Sequence, residues 1–210
     1  MDITELVVGI VLSGGRSSRM GGGDKCLMPL AGRPVLSRIV DRLSPQVSRV
    51  IINANGDPSR FADFGLPVVA DSIAGLAGPL AGVHAGLEWA KTHASGVRSV
   101  ITVASDTPFF PSDLVQRFLS EAGDDPGLLV AASAEGVHPV VGLWTLSLAP
   151  AIEESLRRDM RRVGAFAKEY GAKEVFFAPV RIGATLVDPF FNINRPEDLA
   201  HAKSLVVEDL

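Results

Sequence analysis

Cysteine is almost absent from this chain, which has Cys26 alone among its 210 residues. A single cysteine cannot close an intramolecular disulfide, so the sequence indicates a reducing compartment. The four histidines lie far apart, without the spacing that tetrahedral zinc ligands need. We therefore expect neither a zinc site nor covalent catalysis by Cys26 or by any histidine. The histidines are His84, His93, His138 and His201.

A basic excess and a long hydrophobic run are also missing. Lys and Arg number 20 against 24 Asp and Glu, and the resulting net charge of −4 disfavours a DNA or RNA partner. The apolar run Leu6–Leu12 is far shorter than the ~20 residues that span a bilayer. The first residues include the acidic Asp2 and Glu5, where a targeting segment would be basic. The sequence thus predicts a cytoplasmic protein that binds neither nucleic acid nor membrane.

The composition otherwise suits a globular protein with a substantial core. Hydrophobic residues make up 47% of the chain, which argues against intrinsic disorder. The 21 glycines and 14 prolines are scattered through turns, and we find no low-complexity linker and no internal repeat. We therefore expect one domain spanning residues 1–210.

Apolar runs rich in valine and isoleucine alternate with segments of helical period in the first half of the chain. The predicted strands, each expected to be buried on both faces, are Leu6–Leu12, Val50–Ile52, Leu66–Ala70 and Ser99–Ala104. The predicted helices are the stripe Leu36, Ile39, Val40 and Leu43 with Pro34 in its first turn, Leu80–Trp89 after Pro79, and Asp113–Leu119 after Pro111. This alternation predicts an α/β fold with a doubly wound, mostly parallel sheet in which the early strands are neighbours.

The second half of the chain is less regular, and there we expect some antiparallel pairing. The predicted strands are Leu128–Ala132, Pro139–Trp144 and Glu174–Ala178. Ala151–Tyr170 has helical character with a break near Gly164. One or two turns of this helix are basic. They form either a binding surface for an anionic ligand or a partner protein, or a solvent-exposed face without such a role. The basic residues are Arg157, Arg158, Arg161 and Arg162.

The most informative stretch follows the first strand and reads LSGGRSSRMGGGDK from Leu12 to Lys25. Its five glycines let backbone N–H groups approach an anion closely, while Arg16, Arg19 and Lys25 supply positive charge. It is not a P-loop, because no Gly-Lys-Ser/Thr occurs, and it is not a dinucleotide fingerprint, because the third glycine is missing. We predict a polyphosphate-binding loop of another design. The alternative is a flexible connection with incidental basic residues.

Two aspartates each follow an apolar run, Asp71 after Leu66–Ala70 and Asp106 after Val100–Ala104. Ligands bind open α/β sheets at the carboxyl ends of the strands, so both aspartates should lie beside the glycine-rich loop. A carboxylate next to a polyphosphate needs a divalent cation between them, which makes Asp106 a candidate magnesium ligand. The alternative is that Asp106 caps the turn ahead of Pro108.

At the glycine-rich loop the sequence resembles the nucleotidyltransferases built on a Rossmann-like sheet, the nucleotide-diphospho-sugar transferase type. Their signature is Leu-x-Gly-Gly, then Arg-Met, then Lys. More narrowly, the loop resembles that of the molybdenum cofactor guanylyltransferases, and the resemblance covers nearly the whole length. The further matching segments are Asn53-Ala54-Asn55, Asp71, Gly78-Pro79-Leu80-Ala81-Gly82, Asp106-Thr107-Pro108-Phe109, His138-Pro139-Val140, Phe191-Asn192-Ile193-Asn194 and Pro196-Glu197-Asp198-Leu199.

This resemblance implies an enzyme that transfers GMP from GTP to molybdopterin and releases pyrophosphate. It implies Mg²⁺ as cofactor with Asp106 as its ligand, and Arg19, Lys25 and Asp106 as catalytic residues. Further partners implied by it are molybdoenzyme apoproteins or their chaperones. No protein nucleophile is needed, because the acceptor phosphate attacks the α-phosphorus directly.

The nucleotide site implied by the resemblance consists of Leu12, Ser13, Gly14, Gly15, Lys25, Asn53, Asp71, Pro79, Leu80, Gly82 and Asp106. Two parts of this site have alternative roles. Asp71 is expected either to contact guanosine or ribose, or to help to hold the metal, or to cap the following turn. The segment Gly78–Gly82 either lies against the purine or begins a helix with close packing.

The resemblance also assigns Asn192 and Asn194 to the acceptor. In an extended segment both amides point the same way, where they could bind the mixed donor and acceptor edge of a pterin. The competing explanation is that Asn194 or Arg195 caps the helix that opens at Pro196. The residues themselves leave both explanations open.

Two other functions compete with the guanylyltransferase. One is a cytidylyltransferase acting on molybdopterin or on a sugar or polyol phosphate. Gly14-Gly15 matches the guanylyl loop better than the Ala-Gly of cytidylyl relatives. The other is a nonenzymatic nucleotide-binding regulator, against which the presence of Asp106 argues.

Overall fold

A mixed sheet of seven strands forms the centre of the part of the chain that the structure describes. This computed structural model describes residues 6–13, 24–73, 78–123 and 127–207. Its strands are β1 (Val7–Leu12), β2 (Pro29–Leu30), β3 (Arg33–Pro34), β4 (Arg49–Asn53), β5 (Val68–Val69), β6 (Ser99–Ala104), β7 (Leu128–Ser133), β8 (Gly136–Thr145), β9 (Lys173–Phe176), β10 (Val180–Ile182) and β11 (Thr185–Val187). Its helices are α1 (Val35–Leu43), α2 (Pro79–His93), α3 (Leu114–Ala122), α4 (Ala149–Arg157), α5 (Val163–Glu169) and α6 (Pro196–Val207). None of the helices in these ranges combines the length and the hydropathy that crossing a membrane requires.

The order of the strands in this sheet is β5-β4-β1-β6-β8-β7-β9. β1 lies between β4 and β6 and pairs with both in parallel, and β5 pairs with β4 in parallel as well. β8 runs antiparallel to its neighbours β6 and β7, whereas β9 pairs with β7 in parallel. The predicted sheet, mostly parallel with a partly antiparallel C-terminal part, is confirmed.

Side chains on the two faces of the sheet build two separate hydrophobic cores. In β1, Val7 belongs to one core and Val8 to the other, and both are fully buried. Helices α1, α3 and α6 cover the first core, and α2, α4 and α5 cover the second. Because successive residues of a strand point to opposite faces, a strand covered on both sides must be apolar throughout. The doubly wound arrangement thus accounts for the continuous apolar run of β1.

The strand predicted over Leu66–Ala70 is wrong in its extent and its burial. Only Val68 and Val69 form β5, and both are half-buried. β5 is at the edge of the sheet and pairs with β4, and an edge strand is covered less completely than a central one. The apolar run therefore identified a strand without revealing its place in the sheet.

Two helix boundaries also differ from their predictions. Pro34 is the N-cap residue of α1 and not part of its first turn, because it belongs to the short β2–β3 hairpin. The segment predicted as one helix broken near Gly164 is two helices, α4 and α5, and Gly164 is helical. The break lies at residues 158–162, where Asp159 adopts a left-handed φ of 63°.

The basic run of four arginines therefore does not form a helical surface. Arg157 alone of the four is helical, at the end of α4, and it pairs with Glu153 one turn earlier. Arg158 pairs with Glu169, and Arg161 pairs with Asp159. The backbone of the break is held by tertiary contact, since the carbonyl of Arg161 accepts a hydrogen bond from the amide of Leu80 (3.4 Å).

Helix α2 carries glycine where it crosses the central strands. A Cβ on Gly86 would lie 1.7 Å from Ile10 Cδ1, and a Cβ on Gly82 would lie 2.2 Å from Asn53 Oδ1. Glycine costs a helix interior about 1 kcal/mol relative to alanine, so helix propensity does not explain these positions. Close approach of the helix to the sheet does explain them.

Replacing Gly86 with alanine is expected to lower the free energy of unfolding by about 1–3 kcal/mol, because the added methyl overlaps Ile10 and forces the helix from the strand. Urea denaturation followed by circular dichroism measures the change. Gly164→Ala is the matched control, since its Cβ would lie 3.3 Å from Pro139 Cγ, where a small shift suffices. An unchanged unfolding free energy for Gly86→Ala would contradict the close packing.

Candidate active site

The site lies where the parallel strands β1, β4 and β6 end at the same edge of the sheet. Leu12, the last residue of β1, is in register with Asn53 on one side and with Ala104 on the other. The amide of Ser13 donates to the carbonyl of Asn53 (2.8 Å), and the amide of Ser105 donates to the carbonyl of Leu12 (3.1 Å). The segments that follow the three strands therefore begin side by side, as the prediction required.

The glycine-rich loop is described only at its two ends. The predicted residues Gly14, Gly15, Arg16 and Arg19 lie outside the described residues. The ends themselves touch, since Ser13 Oγ lies 3.2 Å from Cys26 Sγ. Burial raises the pKa of the Cys26 thiol, so this cysteine stays protonated and packs in the core.

Lys25 contacts one of the other predicted residues at this edge and acts on a second through its charge. Its Nζ donates to Asn194 Oδ1 at 3.3 Å, across 169 residues of chain. Burial raises the pKa of the Asp106 carboxyl, although the charge of Lys25 acts in the opposite direction. The turn after β6 is closed by a backbone hydrogen bond from Thr107 to Ala104 (3.4 Å). The Asp106 carboxylate also contacts this turn, because its Oδ1 accepts from the Thr107 hydroxyl (3.4 Å), which agrees with the alternative of a turn-capping role.

The Asn192–Asn194 segment brings both of its asparagine side chains to this edge of the sheet, where they contact Thr107 and Lys25. Ile193 between them is buried, with 2% of its surface exposed, and its amide donates to the carbonyl of Asp106 (2.9 Å). Asn192 Oδ1 accepts a hydrogen bond from the Thr107 hydroxyl at 2.7 Å, while Asn194 contacts Lys25. The alternation of one buried and two outward side chains matches the predicted orientation.

The start of α6 is capped by a residue that the sequence reasoning missed. Asp198 Oδ2 accepts hydrogen bonds from the amides of Asn194 and Arg195, both at 2.8 Å. Arg195 occupies the N-cap position, since its carbonyl accepts the amide of Leu199 (3.2 Å). The side chain of Asn194 is therefore not the cap and is available to Lys25. An acidic residue three positions after the N-cap residue was the signal for this arrangement.

Asp71 is held by a pair of asparagines at the end of β4. Its Oδ1 accepts from Asn53 Nδ2 (3.0 Å), and its Oδ2 accepts from Asn55 Nδ2 (2.8 Å). Asn55 Oδ1 also accepts a hydrogen bond from the backbone amide of Asp71 (2.9 Å), so Asn55 binds both the backbone and the carboxylate of Asp71. The sequence motif contained Asn55 but gave it no role. The contact places the ends of β4 and β5 in one polar cluster.

The N-terminus of α2 combines helix initiation with close packing. Pro79 is exposed in the first turn, whereas Leu80 is fully buried. Gly82 leaves the space that the Asn53 amide occupies. These contacts support the packing explanation of the Gly78–Gly82 segment, and contact with a purine stays a prediction.

A cleft of about 440 Å³ adjoins Asn192. It is lined by Glu135, His138, Leu186, Val187, Asp188, Phe190, Phe191, Asn192 and His201. His138 Nε2 lies 2.8 Å from Ser133 Oγ and 4.0 Å from Asp188 Oδ1. Burial lowers the pKa of the His138 imidazole against the charges of Asp188 and Glu135. The sequence placed His138 in a motif but gave no sign that Asp188 would meet it.

No group of three His, Cys, Asp or Glu side chains able to hold a metal occurs within the residues that the structure describes. A cation at this edge of the sheet would therefore need oxygens from a ligand as well, and Asp106 is the carboxylate that the sequence analysis assigns to it. Such a site needs a hard oxygen donor and an open position, and Asp106 provides the donor.

Comparisons with known proteins agree with this architecture. Residues 9–173 match the model of the MobA-like NTP transferase domain. The chain is 48% identical to a molybdenum cofactor guanylyltransferase of Mesorhizobium japonicum, over 95% of this chain and 96% of that protein. It is 44% identical to the protein of the same name from Bradyrhizobium sp., over 96% of this chain and 94% of that protein.

A solved structure gives the same result for the fold. Molybdopterin-guanine dinucleotide biosynthesis protein A from Archaeoglobus fulgidus superposes with a TM-score of 0.69, over 96% of this chain and 99% of that chain, at 20% identity. This likeness confirms the predicted nucleotidyltransferase fold. With the domain model matched over most of the chain and two relatives matched over nearly all of it, the chain belongs to the MobA-like NTP transferase family.

Proposed function

We propose that this protein transfers GMP from GTP to molybdopterin and releases pyrophosphate. The observation that carries the proposal is the meeting of Lys25, Asp106 and the Asn192–Asn194 segment at one edge of the sheet. This meeting point lies between the Asp71 cluster on one side and the cleft beside Asn192 on the other. The two relatives described above are named molybdenum cofactor guanylyltransferases, and this activity supports the proposed transfer of GMP.

The nucleotide half of the reaction is assigned to the ends of β1, β4 and β5. Asp71, held by two asparagine amides, offers carboxylate oxygens to donors on a guanine base or a ribose. Lys25 offers a cation to the triphosphate, and the amides of the glycine-rich loop are proposed to hold it as well. This division places the base near Asp71 and the phosphates near Asp106.

The acceptor half is assigned to Asn192, Asn194 and the adjoining cleft. The cleft combines aromatic rings with hydrogen-bonding groups, and its His138 ring packs 4.8 Å from the ring of Phe190. A pterin is a flat heterocycle with a mixed donor and acceptor edge, which such a lining suits. The carboxylates of Glu135 and Asp188 repel a phosphate, so the acceptor phosphate should point away from them and toward Lys25.

Asp106 is proposed as a ligand of Mg²⁺. It fits the ion because it supplies a hard oxygen donor at a half-buried position where Lys25 alone does not offset the cost of burying its charge. When bound there with the triphosphate, Mg²⁺ would neutralise charge on the phosphate oxygens.

The remaining chemistry is positioning and charge neutralisation by the chain. Nucleotidyl transfer needs no protein nucleophile, because the acceptor phosphate attacks the α-phosphorus in line and pyrophosphate leaves on the far side. Lys25 contributes charge at the phosphates and, through Asn194, links them to the acceptor side. Holding both reactants in this alignment supplies much of the rate enhancement.

Pyrophosphate release with each of the four nucleoside triphosphates, with and without molybdopterin, tests the proposal. We expect release with GTP and only when molybdopterin is present. Thermal unfolding adds a binding readout, since a ligand at a hundred times its dissociation constant stabilises the native state by about 2.7 kcal/mol. Turnover with CTP in place of GTP would identify a cytidylyltransferase. Stabilisation by a nucleotide without turnover would identify a nucleotide-binding regulator.

A further inference from the structure

Arg60 has a fixed place beside the nucleotide site. It lies in a 3-10 helix, Pro58–Phe64, whose start is capped by Asp57 accepting from the amide of Ser59 (2.9 Å). The following residue, Phe61, is anchored in the core with 1% of its surface exposed. The guanidinium of Arg60 lies 4.9 Å from the centre of the Phe61 ring. The Asp57 cap, the buried Phe61 side chain and the contact with its ring together restrict the orientation of this guanidinium.

The guanidinium contacts two segments that are far apart in the sequence. Its Nη2 donates to the carbonyl of Asn55 at 2.7 Å, and its buried Nε forms an ion pair with Asp24 Oδ2 at 2.8 Å, without the geometry of a hydrogen bond. The side chains of Arg60 and Asp24 are 30% and 23% exposed, so solvent screens this ion pair only in part. Gly56, with a φ of 88°, leaves room for the contact, since a Cβ there would lie 3.2 Å from Nη1 of Arg60.

Each of these contacts leads directly to a residue of the proposed nucleotide site. Asn55 grips Asp71 through both its amide nitrogen and its amide oxygen. Asp24 immediately precedes Lys25, whose Nζ contacts Asn194. One guanidinium thus connects the end of the glycine-rich loop with the carboxylate assigned to the base or ribose.

We propose that Arg60 is a positioning residue that fixes Lys25 and Asp71 relative to each other by binding Asp24 and Asn55 at the same time. This inference rests on the proposed function, in which the two sides bind opposite ends of one GTP molecule. Arginine suits the task because its planar guanidinium spreads its charge over three nitrogens, so it can donate to Asn55 and still face the Asp24 carboxylate, whereas a lysine ammonium is a single compact charge.

Steady-state kinetics of Arg60→Met and Arg60→Lys test the inference. We expect KM for GTP to rise by roughly tenfold or more in both variants, because a small misplacement of binding groups is costly. KM for molybdopterin should rise by less than KM for GTP, because Lys25 itself is still present to donate to Asn194. Calorimetric titration with GTP should give a matching loss of affinity. Arg33→Met is the matched control, since it removes an ion pair of the same length, to Asp41 (2.8 Å), between β3 and α1.

A double-mutant cycle with Asp24→Asn separates positioning from general destabilisation. If the guanidinium acts through Asp24, the double variant Arg60→Met/Asp24→Asn will bind GTP no more weakly than Arg60→Met alone. Independent, multiplying losses would overturn the inference, as would lowered thermal stability with an unchanged KM for GTP. Should the Arg60 variants fail to fold, Asp24→Asn alone decides, because it breaks the same bridge without touching the packing of the 3-10 helix.

The two proposals can fail separately. If the wild type consumes a different nucleotide, the proposed function is wrong, and the Arg60 variants are measured with the nucleotide that it uses. If the wild type consumes GTP and the Arg60 variants bind it normally, only the role of Arg60 is wrong. If the wild type binds a nucleotide without turnover, calorimetric titration of the Arg60 variants with that nucleotide decides whether Arg60 positions the site.

Discussion

Replacing Asp106 with alanine is expected to abolish turnover, with a loss in kcat on the order of 10³-fold or more. The Asp106 carboxylate is the oxygen donor that is assigned to Mg²⁺, and neither alanine nor asparagine supplies a charged oxygen in its place. Pyrophosphate release with GTP and molybdopterin over a range of magnesium concentrations measures the effect. Asp106→Asn should lose activity as well, because an amide keeps the shape but not the charge.

The fold should survive both substitutions. Burial raises the pKa of the Asp106 carboxyl, so its ionised form carries a desolvation cost that a neutral side chain does not have. Urea denaturation should therefore give unfolding free energies no lower than that of the wild type. Asp113→Ala is the matched control, since it removes an exposed carboxylate at the start of α3. Normal magnesium-dependent turnover by Asp106→Ala would show that the site is misplaced.

Replacing Lys25 with methionine is expected to lower kcat/KM by about 10²- to 10³-fold, as the loss of one group that stabilises charge in a transition state does elsewhere. Methionine keeps much of the length of the side chain while removing its charge. Because Lys25 also donates to Asn194, KM for molybdopterin should rise together with KM for GTP. An equal rise of both KM values distinguishes Lys25 from Arg60, whose loss should raise KM for GTP more than KM for molybdopterin.

Kinetics with each substrate varied in turn measure the effect of Lys25→Met. Lys203→Met provides the comparison, because it removes an exposed lysine on α6. Wild-type kinetics in Lys25→Met would contradict the assignment of its ammonium to the phosphates. A rise in KM for molybdopterin alone would move Lys25 to the acceptor side.

The sequence was informative wherever structure follows from local chemistry. A strand covered on both faces must be apolar at nearly every position, so β1 and β6 were recognisable in the sequence as continuous apolar runs. The aspartates that end such runs were then expected at the carboxyl edge, where Asp106 is found. The alternation around buried Ile193 likewise follows from an extended backbone, which made the common orientation of Asn192 and Asn194 predictable.

Contacts between distant segments could not be predicted in this way. The break between α4 and α5 is set by packing of Arg161 against the start of α2, and local pattern pointed instead to Gly164. The bridge from Arg60 to Asp24 depends on a turn of the chain that brings Arg60 within reach of both Asp24 and Asn55. Neither arrangement has a periodicity or a spacing that marks it.

The sequence alone therefore determined the kind of protein: an alternation of strands and helices, acidic residues at strand ends, and a glycine-rich loop with a lysine at its end. Only the tertiary structure decided which side chains meet, such as Lys25 with Asn194 across 169 residues. The reason is physical. Strands repeat every two residues and helices every 3.6, so both produce periodic patterns of apolar residues in the sequence. Contacts between distant residues depend instead on which strands pair, in which direction, and how closely the helices pack on them.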